Sequence, residues 1–301
     1  MTGSNGRIDA RDWLLLAALS VLWGGSFFFN GVAVRELPPF TLVLLRVVLA
    51  AMILLPLLYA QRHPLPKGWK GWKPFFLMAL FNNVLPFSLI VTGQTYIPSG
   101  LTSILNATTP LFTVIVLAAA GEENLLPRRV AGVVVGLIGV IVLRGTDFDF
   151  AAGQGLGVLL CLAAALSYGI SALVARRALP QSPPLATATF QLMASSLMMT
   201  IVACVFERPW QLPAPSFVTW LAVLGLAALA TALAYIVFFH IVRRSGASNV
   251  MLVTLLIPIT AILLGSFVLG EHVSGREIAG ALVIGSALLL IDGRVLNFLW
   301  R

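Results

Sequence analysis

Two prolines, each one helical turn after a polar residue, are where this chain could do chemistry: Pro110 after Asn106 and Pro258 after Thr254. Proline has no N–H for the carbonyl four residues earlier, so the carbonyls of Asn106 and Thr254 are released beside side chains that are themselves polar. Pro86 does the same to Asn82, which is followed by Asn83. In an apolar setting such groups need partners, since leaving one unpaired costs several kcal/mol. Released carbonyls and amides can accept hydrogen bonds from an ammonium group. Pro86, Pro110 and Pro258 would then act as hinges, the symmetric pair forming two complementary gates. The plainer reading is that they only kink their helices, with neighbours or water satisfying the carbonyls.

Arg46 is the one charge well inside an apolar segment, about 9 Å from its end at ~1.5 Å per residue. Its equivalent in the second half of the chain is Gln191, also polar. A guanidinium at that depth could hold a carboxylate; alternatively it snorkels outward or bonds helix-end carbonyls. Among the aromatics, Trp23 and Tyr168 are equivalents near the centres of their segments, and Tyr235 is the equivalent of Phe87. They suit a flat apolar wall with occasional polar tips, although aromatics at helical spacing also serve as packing. Gly24, Gly25 and Gly169, with Ser26 and Ser171, read as close-packing positions between helices. Glu123 and Glu271 stand at helix ends, to bond neighbouring backbone or Arg128 and Arg276.

What the segments lack is equally informative. All eleven carboxylates fall outside the middles of helices, so no buried acid is available as a proton carrier. No cluster of Asp, Glu, His or Cys is present to hold a metal or activate a nucleophile, which argues against an enzyme and against any metal or cofactor. Cys161 and Cys204 both lie inside apolar segments, where a thiol is a small filler. A dianionic ligand, which calls for two or more basic residues at depth, does not fit Arg46 alone.

The elements that must position these residues are membrane helices. At 59% hydrophobic and 10% charged, the chain is far too apolar for a soluble globule of its length. A bilayer core needs about 20 apolar residues per helix, and ten such stretches run approximately 13–34, 40–60, 73–93, 98–119, 128–144, 154–177, 184–206, 216–240, 246–269 and 275–293. They are apolar all round, without the alternation of a barrel strand. Fourteen of the nineteen Lys and Arg residues fall on one side of such a layout and four on the other. The positive-inside rule therefore puts both termini in the cytoplasm, and the net charge of +8 is a topology signal that excludes nucleic acid as a partner.

The chain also repeats itself. A shift of 145 carries Trp23-Gly24 and Ser26 onto Tyr168-Gly169 and Ser171, and Pro38-Pro39 onto Pro183-Pro184. A shift of 148 carries Pro110, Glu123, Arg128 and Gly132 onto Pro258, Glu271, Arg276 and Gly280. Each copy holds five segments, an odd number, so the second enters the membrane from the opposite face. The expected fold is all-α: ten transmembrane helices in two inverted five-helix repeats, residues 13–145 and 154–293. A cytoplasmic segment 1–12, a periplasmic linker 146–153 and a cytoplasmic tail 294–301 complete it. Inverted repeats with a ligand site between them are a building plan of secondary carriers.

The segments Val21–Phe29, Arg46, Ala120–Gly132, Thr231–Ser248 and Leu269–Gly280 resemble the EamA-type branch of the drug/metabolite transporter superfamily, in order and in both copies. The resemblance implies a bacterial inner-membrane carrier, and within that branch the chain most resembles the aromatic amino acid exporters. It implies export of neutral amino acids, aromatic ones included, and related metabolites. The absence of a buried acid favours facilitated diffusion over proton-coupled efflux; a non-transporting receptor or scaffold is the reading from another class. The expected lining is Trp23, Asn82, Asn83, Asn106, Tyr168, Tyr235 and Thr254, with Arg46 and Gln191 as carboxylate contacts. The expected partners are a small-molecule amino acid and the lipid bilayer, and a monomer would suffice.

Overall fold

The structure, a computed structural model, describes residues 10–124, 126–144, 153–245 and 253–292. The expected tail 294–301, most of the segment 1–12 and the linker 146–153 up to Gly153 lie outside the described residues, as does the start of the ninth segment at 246–252. Apart from a short 3-10 turn at Pro209–Gln211, the described residues form ten helical stretches. These are α1 (Ala10–Ala33), α2 (Pro39–Ala60), α3 (Gly68–Gly93), α4 (Ser99–Ala119), α5 (Pro127–Arg144), α6 (Gln154–Ala178), α7 (Pro184–Phe206), α8 (217–245), α9 (Val253–Leu269) and α10 (Gly275–Asp292). Seven of them, α1 to α4 and α6 to α8, are long and apolar enough to cross a membrane. The stretch α9 has 17 residues, while α5 and α10 have 18 each and carry charges at their ends.

Local chemistry sets the boundaries. Pro38 and Pro183 are extended, with φ of −61° and −58°, and each hands over to a proline in the first helical turn, where a missing N–H costs nothing. The helix α3 begins at Gly68, five residues before the expected 73, because Lys67, Trp69, Lys70 and Trp72 form an interfacial first turn rather than an apolar one. Two helices that read as uniform are not. In α3 a π-turn spans Leu80–Val84, with the Leu85 N–H reaching back to the Leu80 carbonyl. In α8 a π-turn spans Ala228–Leu233, with the Ala234 N–H reaching Leu229. The shift of 148 superposes these two turns. Ala234 stands where the first copy has Pro86, so the proline is not what makes the turn.

The two symmetric prolines behave differently. The helix α4 breaks after Asn106 and resumes at Thr109. There the Thr108 hydroxyl donates to the Leu105 carbonyl at 2.6 Å and the Thr109 hydroxyl donates to the Asn106 carbonyl at 2.7 Å. The Asn106 carbonyl is therefore capped locally and not bare, contrary to the expectation from Pro110. Pro258 lies inside an unbroken α9.

The halves interleave by exchanging partners. A Cβ on Gly24 of α1 would stand 2.7 Å from Thr260 Cβ in α9, and one on Gly169 of α6 would stand 3.0 Å from the Phe112 backbone in α4. Gly24 and Gly169 are equivalents under one shift, Phe112 and Thr260 under the other, so each copy's first helix packs on the other copy's fourth. Ser26 and Ser171 repeat a local bond as well, to the carbonyls of Trp23 at 2.6 Å and Tyr168 at 2.8 Å. Gly25 is different: its nearest neighbour, Phe29, is at an ordinary 3.7 Å.

Carboxylates tie the two halves at both ends. At one end Glu207 accepts from the backbone N–H groups of Phe40 (2.9 Å) and Thr41 (2.6 Å) and from the Thr41 hydroxyl. Because Glu207 follows α7 and caps the start of α2, these equivalent helices run antiparallel. Glu271 likewise accepts from Ser99 N–H (2.9 Å), Gly100 N–H (3.2 Å) and the Ser99 hydroxyl (2.7 Å) at the start of α4. Glu36 takes the N–H (2.7 Å) and hydroxyl (2.8 Å) of Ser216 at the start of α8. Helix N-termini favour such anions through unpaired N–H groups and the macrodipole. At the opposite end Arg177 pairs with Glu122 at 2.7 Å, Arg176 with Glu123 at 3.2 Å, and Arg244 with Asp12 at 2.8 Å. Glu123 also meets Arg129 rather than the expected Arg128.

Two outcomes follow for stability. Gly169→Val drives a side chain into the α4 backbone and should cost ~1–3 kcal/mol as overpacking, lowering the unfolding temperature in detergent. Gly285→Ala, with nothing within 4 Å of the new Cβ, should not lower it and should raise it slightly, since Ala replaces Gly inside a helix. The Ser216 backbone N–H, then its hydroxyl, hold the Glu36 carboxyl below its usual 4.5. A depressed folded-state value means the tie stabilises above the unfolded value and is lost as pH falls through the folded one. The difference in unfolding temperature between wild type and Glu36→Gln should thus be present at neutral pH and vanish in acid below 4.5.

Candidate functional site

Between the two sets of end ties, five helices from both halves bring polar side chains together. The π-turn in α8 turns Thr231 inward, where its hydroxyl donates to the Leu226 carbonyl at 2.8 Å and accepts from Arg46 Nε at 2.9 Å. The guanidinium lies over the Phe87 ring, 3.7 Å from its centroid. Arg46 is buried at 6% exposure, so the snorkelling alternative does not hold. Among the described residues no carboxylate pairs with it. A desolvated cation–π contact is worth ~2 kcal/mol and Thr231 adds one hydrogen bond.

The matching π-turn in α3 turns Asn83 toward α7, where its amide donates to the Ser195 hydroxyl at 2.9 Å. Ser195 in turn donates to the Gln191 carbonyl at 2.7 Å. The two turns thus do one job twice: Arg46 with Thr231, and its equivalent Gln191 with Ser195 beside Asn83. Both anchoring contacts have normal lengths.

Between them lies a looser set. Tyr235 Oη is 3.3 Å from Asn82 Nδ2, 3.3 Å from Gln191 Nε2 and 3.3 Å from Asn83 Oδ1. Asn82 Nδ2 is 3.4 Å from both Gln191 Oε1 and Asn83 Oδ1, and Ser171 donates to Asn82 Oδ1 at 3.1 Å. Most of these contacts exceed the 2.7–3.2 Å range of well-formed N–H···O bonds. Interhelical hydrogen bonds in membranes average only about 0.6 kcal/mol even when well formed. The inner face of the cluster therefore holds donors and acceptors that can be exchanged cheaply.

Apolar surface surrounds it. Val47, Phe87, Leu192, Val223 and Leu226 pack beside half-buried Tyr168, Tyr235 and Phe239. Tyr168 also belongs to a neighbouring cluster with Leu19, Ile257 and Trp23, and Trp23 meets Phe238 at 5.4 Å between ring centres. Of the expected lining, the structure joins Asn82, Asn83, Tyr235, Arg46 and Gln191 by hydrogen bonds or a shared neighbour. It puts Tyr168 and Trp23 in the adjoining apolar wall. Asn106 lies outside the cluster, its side-chain oxygen buried without a partner, and Thr254 lies half-buried one turn before Pro258. Sequence reasoning left out Ser195 and Thr231 and treated Ser171 as packing alone. The 148 shift, which pairs Asn83 with Thr231, was the signal for one; Ser195, a turn beyond Gln191, was the signal for another. Among the described residues no three His, Cys, Asp or Glu side chains gather to hold a metal.

Comparison with known proteins fits this architecture. The chain is 24% identical over 254 residues to the uncharacterized transporter YoaV of Bacillus subtilis, covering 83% of this chain and 86% of that one. It is 26% identical over 263 residues to protein PagO of Salmonella typhimurium, covering 85% and 84%. It is 26% identical over 256 residues to the uncharacterized inner membrane transporter YedA of Escherichia coli, covering 83% and 80%. A solved crystal structure with 22% identity superposes with a TM-score of 0.67 over 97% of this chain and 99% of that one, which establishes the fold. The model of the EamA-like transporter family matches twice, at residues 12–145 and 155–292, once for each half of the helical bundle. This chain belongs to the EamA-like transporter family and is a multi-pass membrane transporter.

Proposed function

We propose that the protein is an alternating-access exporter of neutral amino acids, aromatic ones included, and related metabolites in a bacterial inner membrane. In this reading ten helices span the bilayer as two inverted repeats, 13–145 and 154–293, with both termini cytoplasmic. The substrate sits in the cluster between the repeats. Its carboxylate meets Arg46, its ammonium group takes the oxygens of Asn82, Asn83 and Tyr235, and its side chain lies along Tyr168, Phe87 and Trp23.

The observation that carries this reading is the stretched, neutral hydrogen-bond set around Tyr235 beside a buried arginine that no described carboxylate neutralises. A zwitterion supplies what both lack: an anion for the guanidinium and a compact donor for the amide oxygens. Ionised side chains at this depth other than Arg46 would have argued for a charged substrate. Glu36, Glu207 and Glu271 at one end, and Glu122, Glu123 and Asp12 at the other, are engaged in ties between the halves, which supports transport without a dedicated proton carrier. Breaking one set while keeping the other would open one face at a time.

Purified protein in liposomes, offered a panel of labelled amino acids with and without a pH gradient, tests the proposal. Neutral amino acids should equilibrate, and an imposed pH gradient should not concentrate them. Arg46→Gln should weaken apparent affinity by at least about tenfold, the worth of a charged hydrogen bond at ~1.5–3 kcal/mol. The matching amine that lacks the carboxylate should be handled alike by wild type and variant. No flux of any amino acid, or an equal effect of Arg46→Gln on amino acid and amine, would overturn the assignment.

A further inference from the structure

Between α3 and α7 lies an apolar groove of about 470 Å³, walled by Trp69, Trp72, Phe76, Met193, Ala194 and Leu197. It is a seam between the two halves, since α3 belongs to the first and α7 to the second. Its walls are held in place by ring packing: Trp69 on Phe76 at 5.5 Å, and Trp72 and Phe75 on Phe190 at 5.6 and 5.1 Å. The groove starts at the membrane interface, where Trp69 is 66% exposed. Its walls run from Trp69 to Phe76 on α3 and from Met193 to Leu197 on α7, about 10 Å along α3 at ~1.5 Å per residue. One leaflet of hydrocarbon is about 15 Å deep, so the groove takes the part of an acyl chain nearest its headgroup.

The mouth of this groove is basic. Lys67, Lys70 and Lys73 are all exposed, and Lys73 is four residues after Trp69 and three before Phe76, which puts it on the groove face of α3. Among the described residues none of these lysines has an ion-pair partner. We infer that the groove is a binding site for one anionic phospholipid, its acyl chain between α3 and α7 and its phosphate at Lys70 and Lys73. Annular lipid covers any apolar helix face without regard to headgroup. Lys73 on the face of the groove, with Lys70 one turn before it, selects the anionic species, at about 1 kcal/mol per basic residue near the surface.

The site has consequences for the cluster behind it. Met193, Ala194 and Leu197 are the outward neighbours of Gln191 and Ser195 on α7, and Phe76 precedes the π-turn carrying Asn82 and Asn83. A lipid in the seam buttresses the helix pair that holds Asn83 against Ser195.

Native mass spectrometry of the full-length protein, titrated with phosphatidylglycerol or phosphatidylcholine of identical chains, tests the inference without reference to transport. Wild type should retain one phosphatidylglycerol at least about tenfold more tightly than phosphatidylcholine, as expected from two lysines. Lys70→Glu combined with Lys73→Glu should erase that preference. Ala194→Phe, which fills the groove but spares the lysines, should weaken both lipids, with unfolding temperatures confirming that each variant folds. Equal binding of the two lipids by wild type, or a preference that survives the lysine changes, would show annular lipid only and overturn the site.

Discussion

An ionised carboxylate cannot be left in hydrocarbon without a partner, and the whole arrangement follows from where this chain puts its acids. None lies at membrane depth in the described helices. Glu36, Glu207 and Glu271 sit just beyond helix ends and cap the opening turns of helices in the other half. Glu122, Glu123 and Asp12 meet arginines of the other half at the opposite end. The Glu36, Glu207, Glu271 and Asp12 ties form where antiparallel helices meet end to start, whereas the Glu122 and Glu123 ties join the ends of α4 and α6. Among the described residues the inner space is thereby free of negative charge, and the positive charge of Arg46 within it stands over an aromatic ring.

The two ends are built from different chemistry. Backbone N–H groups at a helix start are fixed donors, so the Glu207 and Glu271 ties are preorganised and lose little on forming. Arg176 and Arg177 are about half exposed, and exposed ion pairs contribute little because water competes for both partners. In the conformation described, the Glu207 and Glu271 ties are the more preorganised ones.

Much of the fold was legible because repeat equivalence survives in residue types that have geometric jobs. Gly24 and Gly169 mark helix crossings, and Pro38-Pro39 and Pro183-Pro184 mark helix starts. Asn83, Arg46 and Gln191 were visible as polar residues with no reason to sit in lipid. The π-turns were not legible: neither Leu80–Val84 nor Ala228–Leu233 has a local signature, and Pro86 drew attention to the wrong cause. The carboxylate ties were hidden because their partners are backbone N–H groups more than 160 residues away. Pro110 releases the Asn106 carbonyl as expected, but the Thr109 hydroxyl caps it, which is the plainer of the two readings the proline allowed.

The claim that a neutral cluster is shared by both faces is tested most directly at Tyr235, where the exchangeable contacts converge. In a protein with Cys161 and Cys204 replaced by alanine, Tyr235→Cys would be exposed to a small membrane-impermeant thiol reagent from each side of sealed vesicles in turn. Alternating access predicts modification from both sides, slowed from both by a transported amino acid. Modification from one side only under every condition, with no protection by any substrate, would contradict it.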